Sequence, residues 1–159
     1  FRIRYYNRDL SWIVLEKKSK IRGMCAKESC RISEMECRMF MDGQVPNLAP
    51  NASADRKRLF TEMRLRGMMP KVIVTYERIP FVYAGGNVRI TFDRNITSSV
   101  QLNHFLTGDY AERPILPAGG SILEVKWDEY LPDIIKDAVT IPGRRVSAFS
   151  KYEQCRIYG

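Results

Sequence analysis

Arginine and lysine fall at alternate positions along several short stretches of this chain, and that spacing carries its chemistry. Residues two apart in an extended strand project to the same face. Arg2 with Arg4, Glu16 with Lys18 and Lys20, Lys27 with Arg31, Tyr76 with Arg78, Arg89 with Asp93, and Glu124 with Lys126 therefore form shared-face sets. The opposite faces carry Ile3, Ile13, Leu15, Val88, Ile90, Phe92, Leu123, Val125 and Trp127. Solvated faces usually mix signs to limit self-repulsion, whereas these are rich in cations. A sheet curled so that such cations converge is costly unless an anion neutralises them. Phosphate suits that role, because planar guanidinium groups meet its oxygens bidentately. The acids on these faces admit two readings. Glu16 and Glu124 are either salt-bridge partners of the surrounding Lys and Arg, or hard oxygen ligands for Mg²⁺ or Mn²⁺, ions that bind through one or two carboxylates plus substrate phosphates.

Other catalytic patterns are missing from the sequence. There is no GxxxxGK[ST] loop, and Gly85-Gly86 reads as the turn of a hairpin between a strand ending at Tyr83 and one starting at Asn87. The single histidine, His104, lies beyond a turn at Thr97-Ser98-Ser99 without a partner pattern and reads as structural or surface. Cys25, Cys30, Cys37 and Cys155 have neither zinc nor redox spacing and are too few to staple a chain this long. They read as free thiols in a reducing cytosol. Met68, Met69 and the other methionines read as core filler.

Short strands and a few helices must position the charged sets. Strands are predicted over Phe1 to Tyr6, Trp12 to Lys20, Met24 to Ile32, Lys71 to Tyr83, Asn87 to Arg94 and Ser121 to Trp127, where β-branched and aromatic residues alternate with polar ones. Ser33 with Glu36 makes a capping box for a helix to about Met41, stopped by Asp42-Gly43. Asp55 is expected to cap a second helix, Arg56 to Arg66, with Leu59, Phe60, Met63 and Leu65 as its apolar stripe and Gly67 at its end. A third helix follows Leu131-Pro132, with Ile134, Ile135, Ala138 and Val139 on the buried side, and a last one runs from Phe149 or Ser150 into Arg156. Gln44 to Ala54 and Arg113 to Gly120 read as loops. Amphipathic helices must cover an apolar sheet face, so helices outside leave the charged faces pointing inward.

Size and charge agree. The chain has 159 residues, 45% of them apolar and 28% charged, which suits a single domain over 1–159. Lys and Arg number 26 against 18 Asp and Glu, for a net charge of +8, and this excess asks for an anionic partner. No apolar run reaches the ~18 to 20 residues of a membrane helix. The cations alternate along strands instead of lining a helix, and no helix-turn-helix or RNP1-like run occurs, which speaks against a nucleic-acid partner.

The ordered set of motifs resembles the polyphosphate polymerase domain of vacuolar transporter chaperone (VTC) proteins, within the triphosphate tunnel metalloenzymes. The matching stretches are Arg2-Ile-Arg4, Leu15-Glu-Lys-Lys-Ser-Lys20, Pro70-Lys-Val-Ile-Val-Thr-Tyr-Glu-Arg78, Asn87-Val-Arg-Ile-Thr-Phe-Asp93, Leu123-Glu-Val-Lys-Trp127, Leu131-Pro-Asp-Ile-Ile135 and Phe149-Ser-Lys-Tyr152. The resemblance implies an α+β fold, an antiparallel β-tunnel with helices packed on the outside. It implies a lumen that binds ATP and threads polyphosphate. Arg2, Arg4, Lys18, Lys27, Arg78 and Arg89 would be its cations, Glu124 the ligand of the divalent metal, Tyr76 and Ser150 phosphate contacts, and Lys151 the lysine near the reacting phosphates. Lys20 sits where relatives carry a basic or imidazole side chain, while Arg31 and Lys126 follow from strand parity alone. Relatives begin with further strands and a helix, so the tunnel is expected to be open or incomplete over these residues. The activity implied is transfer of the ATP γ-phosphate to a growing polyphosphate chain with Mn²⁺ or Mg²⁺; the location expected from the free thiols is cytoplasmic, with membrane association through other segments or partners left open. A tunnel-type triphosphate hydrolase and a noncatalytic polyphosphate-binding module are the alternatives.

Overall fold

A computed structural model describes residues 1–21 and 24–157, with the side chains of Lys20, Ile21 and Met24 outside the described set. The fold is α+β, with two antiparallel sheets, neither of which closes into a barrel. Two compact units divide the chain: Phe1–Lys71 with Gln101–Tyr110, and Val72–Val100 with Ala111–Gly159.

In the first unit, β1 (Arg2–Tyr6), β2 (Asp9–Ile21) and β3 (Met24–Ile32) form a meander in that order. The alternation in β2 sets Ile13 and Leu15 on one face, both fully buried. They pack with Ile32 against Cys37 and Phe40 of α1 (Glu34–Met41) and Leu59, Phe60 and Met63 of α2 (Ala54–Leu65). Phe40 and Phe60 meet edge to face at 5.2 Å. Tyr5 ties the returning segment 101–110 to β1, its ring 5.0 Å from that of Phe105 and its hydroxyl donating to the Phe105 carbonyl.

The capping box at the start of α1 forms as the sequence predicts: the Glu36 backbone N–H donates to Ser33 Oγ, and the Ser33 N–H donates to the Glu36 carboxylate. Ser33→Ala should therefore lower stability by about 1 kcal/mol in urea denaturation. The cap of α2 is Ser53, not Asp55, because Ser53 Oγ reaches the Arg56 N–H while Asp55 turns to Arg58 in the first turn. The apolar stripe of α2 is also shorter than predicted. Leu65 is 82% exposed, since it lies two residues beyond Met63 and so on another side of the helix. Met63 and Met68 join the core, but Met35 and Met69 are exposed.

In the second unit, β5 (Val88–Ser99) is central, paired with β4 (Ile73–Tyr83) on one side and with β6 (Arg113–Pro114) and β7 (Ser121–Lys126) on the other. The β4–β5 turn runs through Gly85-Gly86, and Gly86 has φ 73° with no room for a side chain: a Cβ there would lie 2.3 Å from the Tyr130 carbonyl oxygen. Thr97 to Ser99 do not form the predicted turn. They continue β5, because Thr97 and Ser98 pair with β6 while Ser99 pairs with Ile73. Arg113-Pro114 is correspondingly a short strand within the predicted loop. An extra residue on β5 near Asn95, which has φ 51°, makes a bulge against β4 between Thr75 and Glu77.

Two helices complete this unit, α3 (Asp133–Val139) and α4 (Lys151–Ile157). On α3, Ile135 and Val139 are half-buried, but Ile134 and Ala138 are exposed, against expectation. Ile135 and Val139 are four apart and share one row, whereas Ile134 and Ala138 form the adjacent row. The Glu153 N–H of α4 donates to Ser150 Oγ. Among the described residues, no helix is long and apolar enough to cross a membrane.

Candidate functional site

The second unit gathers the larger share of the predicted site residues. Side chains opposite each other on adjacent antiparallel strands project to the same face. The register sets Arg78 opposite Asp93, Thr91 opposite Glu124 and Arg89 opposite Lys126. Tyr76, two residues before Arg78, lies along the same side of β4.

Asp93 is the centre of this arrangement, with 0% exposure. Arg78 grips it with both edge nitrogens, Nε to Oδ1 at 2.6 Å and Nη2 to Oδ2 at 2.7 Å. Lys151, the first residue of α4, places Nζ 2.6 Å from Oδ2. Both cations also lie 5.2 Å from the centre of the Tyr76 ring, within cation–π range. Burial alone would raise the Asp93 pKa, but the hydrogen bonds from Arg78 and Lys151 prevail and hold it below the usual range. The Asp93 hydrogen bond raises the Arg78 pKa in turn.

Glu124 is partly exposed beside this group, with Lys126 Nζ at 2.9 Å and Arg78 Nη2 at 3.7 Å. Burial pushes its carboxyl up, and the Lys126 hydrogen bond, with the charges of Lys126, Lys151 and Arg78, brings it below the usual range. Arg89 is exposed and takes part in no ion pair among the described residues. Ser150 precedes Lys151 directly and is occupied as the acceptor of the Glu153 N–H.

In the first unit a second carboxylate plays the same part. Glu16 is 1% exposed and meets Arg2 Nη2 at 2.5 Å, Arg4 Nη2 at 2.7 Å and Lys27 Nζ at 3.1 Å. Desolvation opposes its ionisation, yet the hydrogen bonds from Arg2 and Lys27 and the charges of Arg2 and Arg4 lower its pKa to about 2. Among the described residues Arg4 Nε is buried with no hydrogen-bond partner beside this cluster. Lys18 stands directly opposite Lys27. Arg31 is not brought to Glu16: its guanidinium stacks 4.6 Å over Trp12 and donates to the Ser11 carbonyl. Parity put Arg31 on the same face as Lys27, but four residues of extended chain carry it to the far end of that face. The side chain of Lys20 lies outside the described residues, and its backbone pairs with Cys25.

Divalent metal chemistry has a narrow footing here. Among the described residues no three of His, Cys, Asp and Glu converge as a metal cage. Glu124 offers one carboxylate, and across the strand pair Thr91 Oγ1 is buried without a hydrogen-bond partner among the described residues. Such an oxygen set fits an ion that completes its shell with phosphate oxygens and water. The cysteines are free, and burial pushes the Cys37 thiol up to about 12, so it is unreactive.

Asp93 is the residue whose part the sequence reading missed. The shared face of Arg89 and Asp93 was visible in the alternation, but not that Arg78 and Lys151 both end on that carboxylate. No curated protein and no solved structure matches the chain. The VTC domain matches residues 1–157, nearly its whole length, so this chain belongs to the VTC domain family, whose function is related to polyphosphate.

Proposed function

We propose that this chain is the catalytic part of an ATP-dependent polyphosphate polymerase. The observation that carries the reading is the convergence of Arg78 and Lys151 on Asp93 beside Glu124 and Lys126. It offers several fixed cationic donors for phosphate oxygens.

Phosphoryl transfer to polyphosphate needs little else. The terminal oxygen of the acceptor chain is already ionised and attacks the γ-phosphorus of ATP, while the bond to the β-phosphate oxygen breaks and ADP leaves. The protein's contribution is alignment and neutralisation of charge on the transferring group. Arg78 and Lys151 would hold the transferring phosphate, with Arg89 and Lys126 alongside. Arg2, Arg4, Lys18 and Lys27 form a separate cationic set on the first unit's sheet, which would bind phosphate in its own right. A divalent ion held by Glu124, with Thr91 as neighbouring oxygen donor, would supply further charge neutralisation when bound.

The test is to incubate the full-length protein with ATP and Mn²⁺ and to measure ADP, polyphosphate and free phosphate, with and without a chelator. Polymer and ADP in equal phosphate equivalents are expected, with both lost on chelation. Free phosphate without polymer would replace the reading with a hydrolase. Tight polyphosphate binding with no product would replace it with a binding module.

A further inference from the structure

A buried carboxylate on a cationic face competes with any phosphate for the same donors, so its presence demands a compensating use. Asp93 has both oxygens engaged and no exposure. It sits on the central strand and takes the Nε and Nη2 edge of Arg78, which leaves Nη1 outside the pair. Lys151 is an ammonium with three donors, of which Asp93 occupies one. Both are long side chains with many rotamers in isolation. Here they are held from one side by Asp93 and from another by the ring of Tyr76. Their side chains nevertheless remain 34% and 19% exposed, open to a ligand. Glu16 repeats the arrangement independently in the first unit, with three cations gathered on one buried carboxylate.

The geometry points to Asp93 as a positioning residue, which fixes Arg78 and Lys151 as a rigid two-pronged clamp for one phosphate group at the expense of one unit of positive charge. This rests on the phosphoryl-transfer reading above. A clamp of this kind acts on the transition state more than on ground-state binding, because loosened cations still attract a polyanion but no longer meet the transferring group in register.

Asp93→Asn keeps the size of the side chain and removes its charge. In the full-length protein it should lower kcat for polymer formation at least ten-fold, while the Kd for inorganic tripolyphosphate stays within three-fold of wild type or tightens. Wild-type kcat in Asp93→Asn would overturn the proposal, and so would a parallel loss of kcat and tripolyphosphate binding, which is the mark of a merely structural role. A second measurement needs no Asp93 variant. In the wild-type protein the Arg78 Nε–H nitrogen-15 resonance, assigned by its disappearance in Arg78→Lys, should exchange with solvent at least ten-fold slower than free arginine, with and without tripolyphosphate. Exchange as fast as free arginine overturns the clamp even if Asp93→Asn does not fold. A wild-type protein that neither binds tripolyphosphate nor makes polymer removes the phosphoryl-transfer reading itself. Equal function of wild type and Asp93→Asn removes only the role of Asp93.

Discussion

Arg78→Ala should slow polyphosphate synthesis about 10²- to 10³-fold, the usual consequence of deleting one well-placed donor from a site that works by charge stabilisation. Arg78 is placed for that role by its pairing across from Asp93, which takes its Nε and Nη2 and leaves Nη1 outside that pair. The same substitution should cost about 1–3 kcal/mol of stability, because the buried Asp93 carboxylate retains only Lys151 as a cationic partner. Arg89→Ala provides the contrast. Arg89 is exposed, so its removal should lower the rate by a similar factor without shifting the melting temperature. Steady-state ADP release and thermal melts of the two variants check both halves. Near wild-type synthesis by both would remove these arginines from the reaction.

Acid should unfold the first unit through Glu16. Its carboxyl titrates at about 2 in the folded chain against an ordinary value of 4.5, so the unfolded state takes up a proton first as pH falls. The stabilisation is complete above about pH 4.5, declines between 4.5 and 2, and amounts to roughly 3 kcal/mol near neutrality. Glu36 and Glu62 of the same unit are also held below their usual range and add in the same direction. Urea denaturation followed by Trp12 fluorescence in a Trp127→Phe background at pH 7, 4 and 3 should show stability falling with pH where Glu16 is present and a shallower fall in Glu16→Gln, which starts lower because three cations lose their counterion. Equal pH slopes for the two proteins would exclude Glu16 as the source. Ligand phosphate should raise the stability of both.

Much of this protein was legible in the order of its residues. Alternation in β1, β2, β3, β5 and β7 was enough to sort charged from apolar faces, because side chains two apart share a face, but not to say which face is buried: in β5 Asp93 is buried while Phe92 of the apolar face is exposed. The capping box at Ser33 was legible because both of its hydrogen bonds are local. Family membership was legible for a related reason, since an ordered series of short motifs survives without knowledge of their contacts. Helix faces were less legible: Ile134 and Leu65 look like core residues in a one-dimensional pattern, yet their burial depends on what lies beside them.

Register was beyond the sequence, and the site depends on it. A hairpin with Tyr83 opposite Asn87 would set Arg78 against Phe92 and turn the arginine toward an apolar face. The observed hairpin sets Tyr83 opposite Val88, which brings Arg78 to Asp93. One residue of turn length separates these outcomes, because a slip of one residue in an antiparallel pair exchanges the two faces. Lys151 is more remote still, 58 positions from Asp93 in the sequence, and only the placement of α4 brings it to the same carboxylate. Residue order thus set which cations share a strand face, while folding set which of them share a counterion, since strand alternation is a local property and pairing across strands is not.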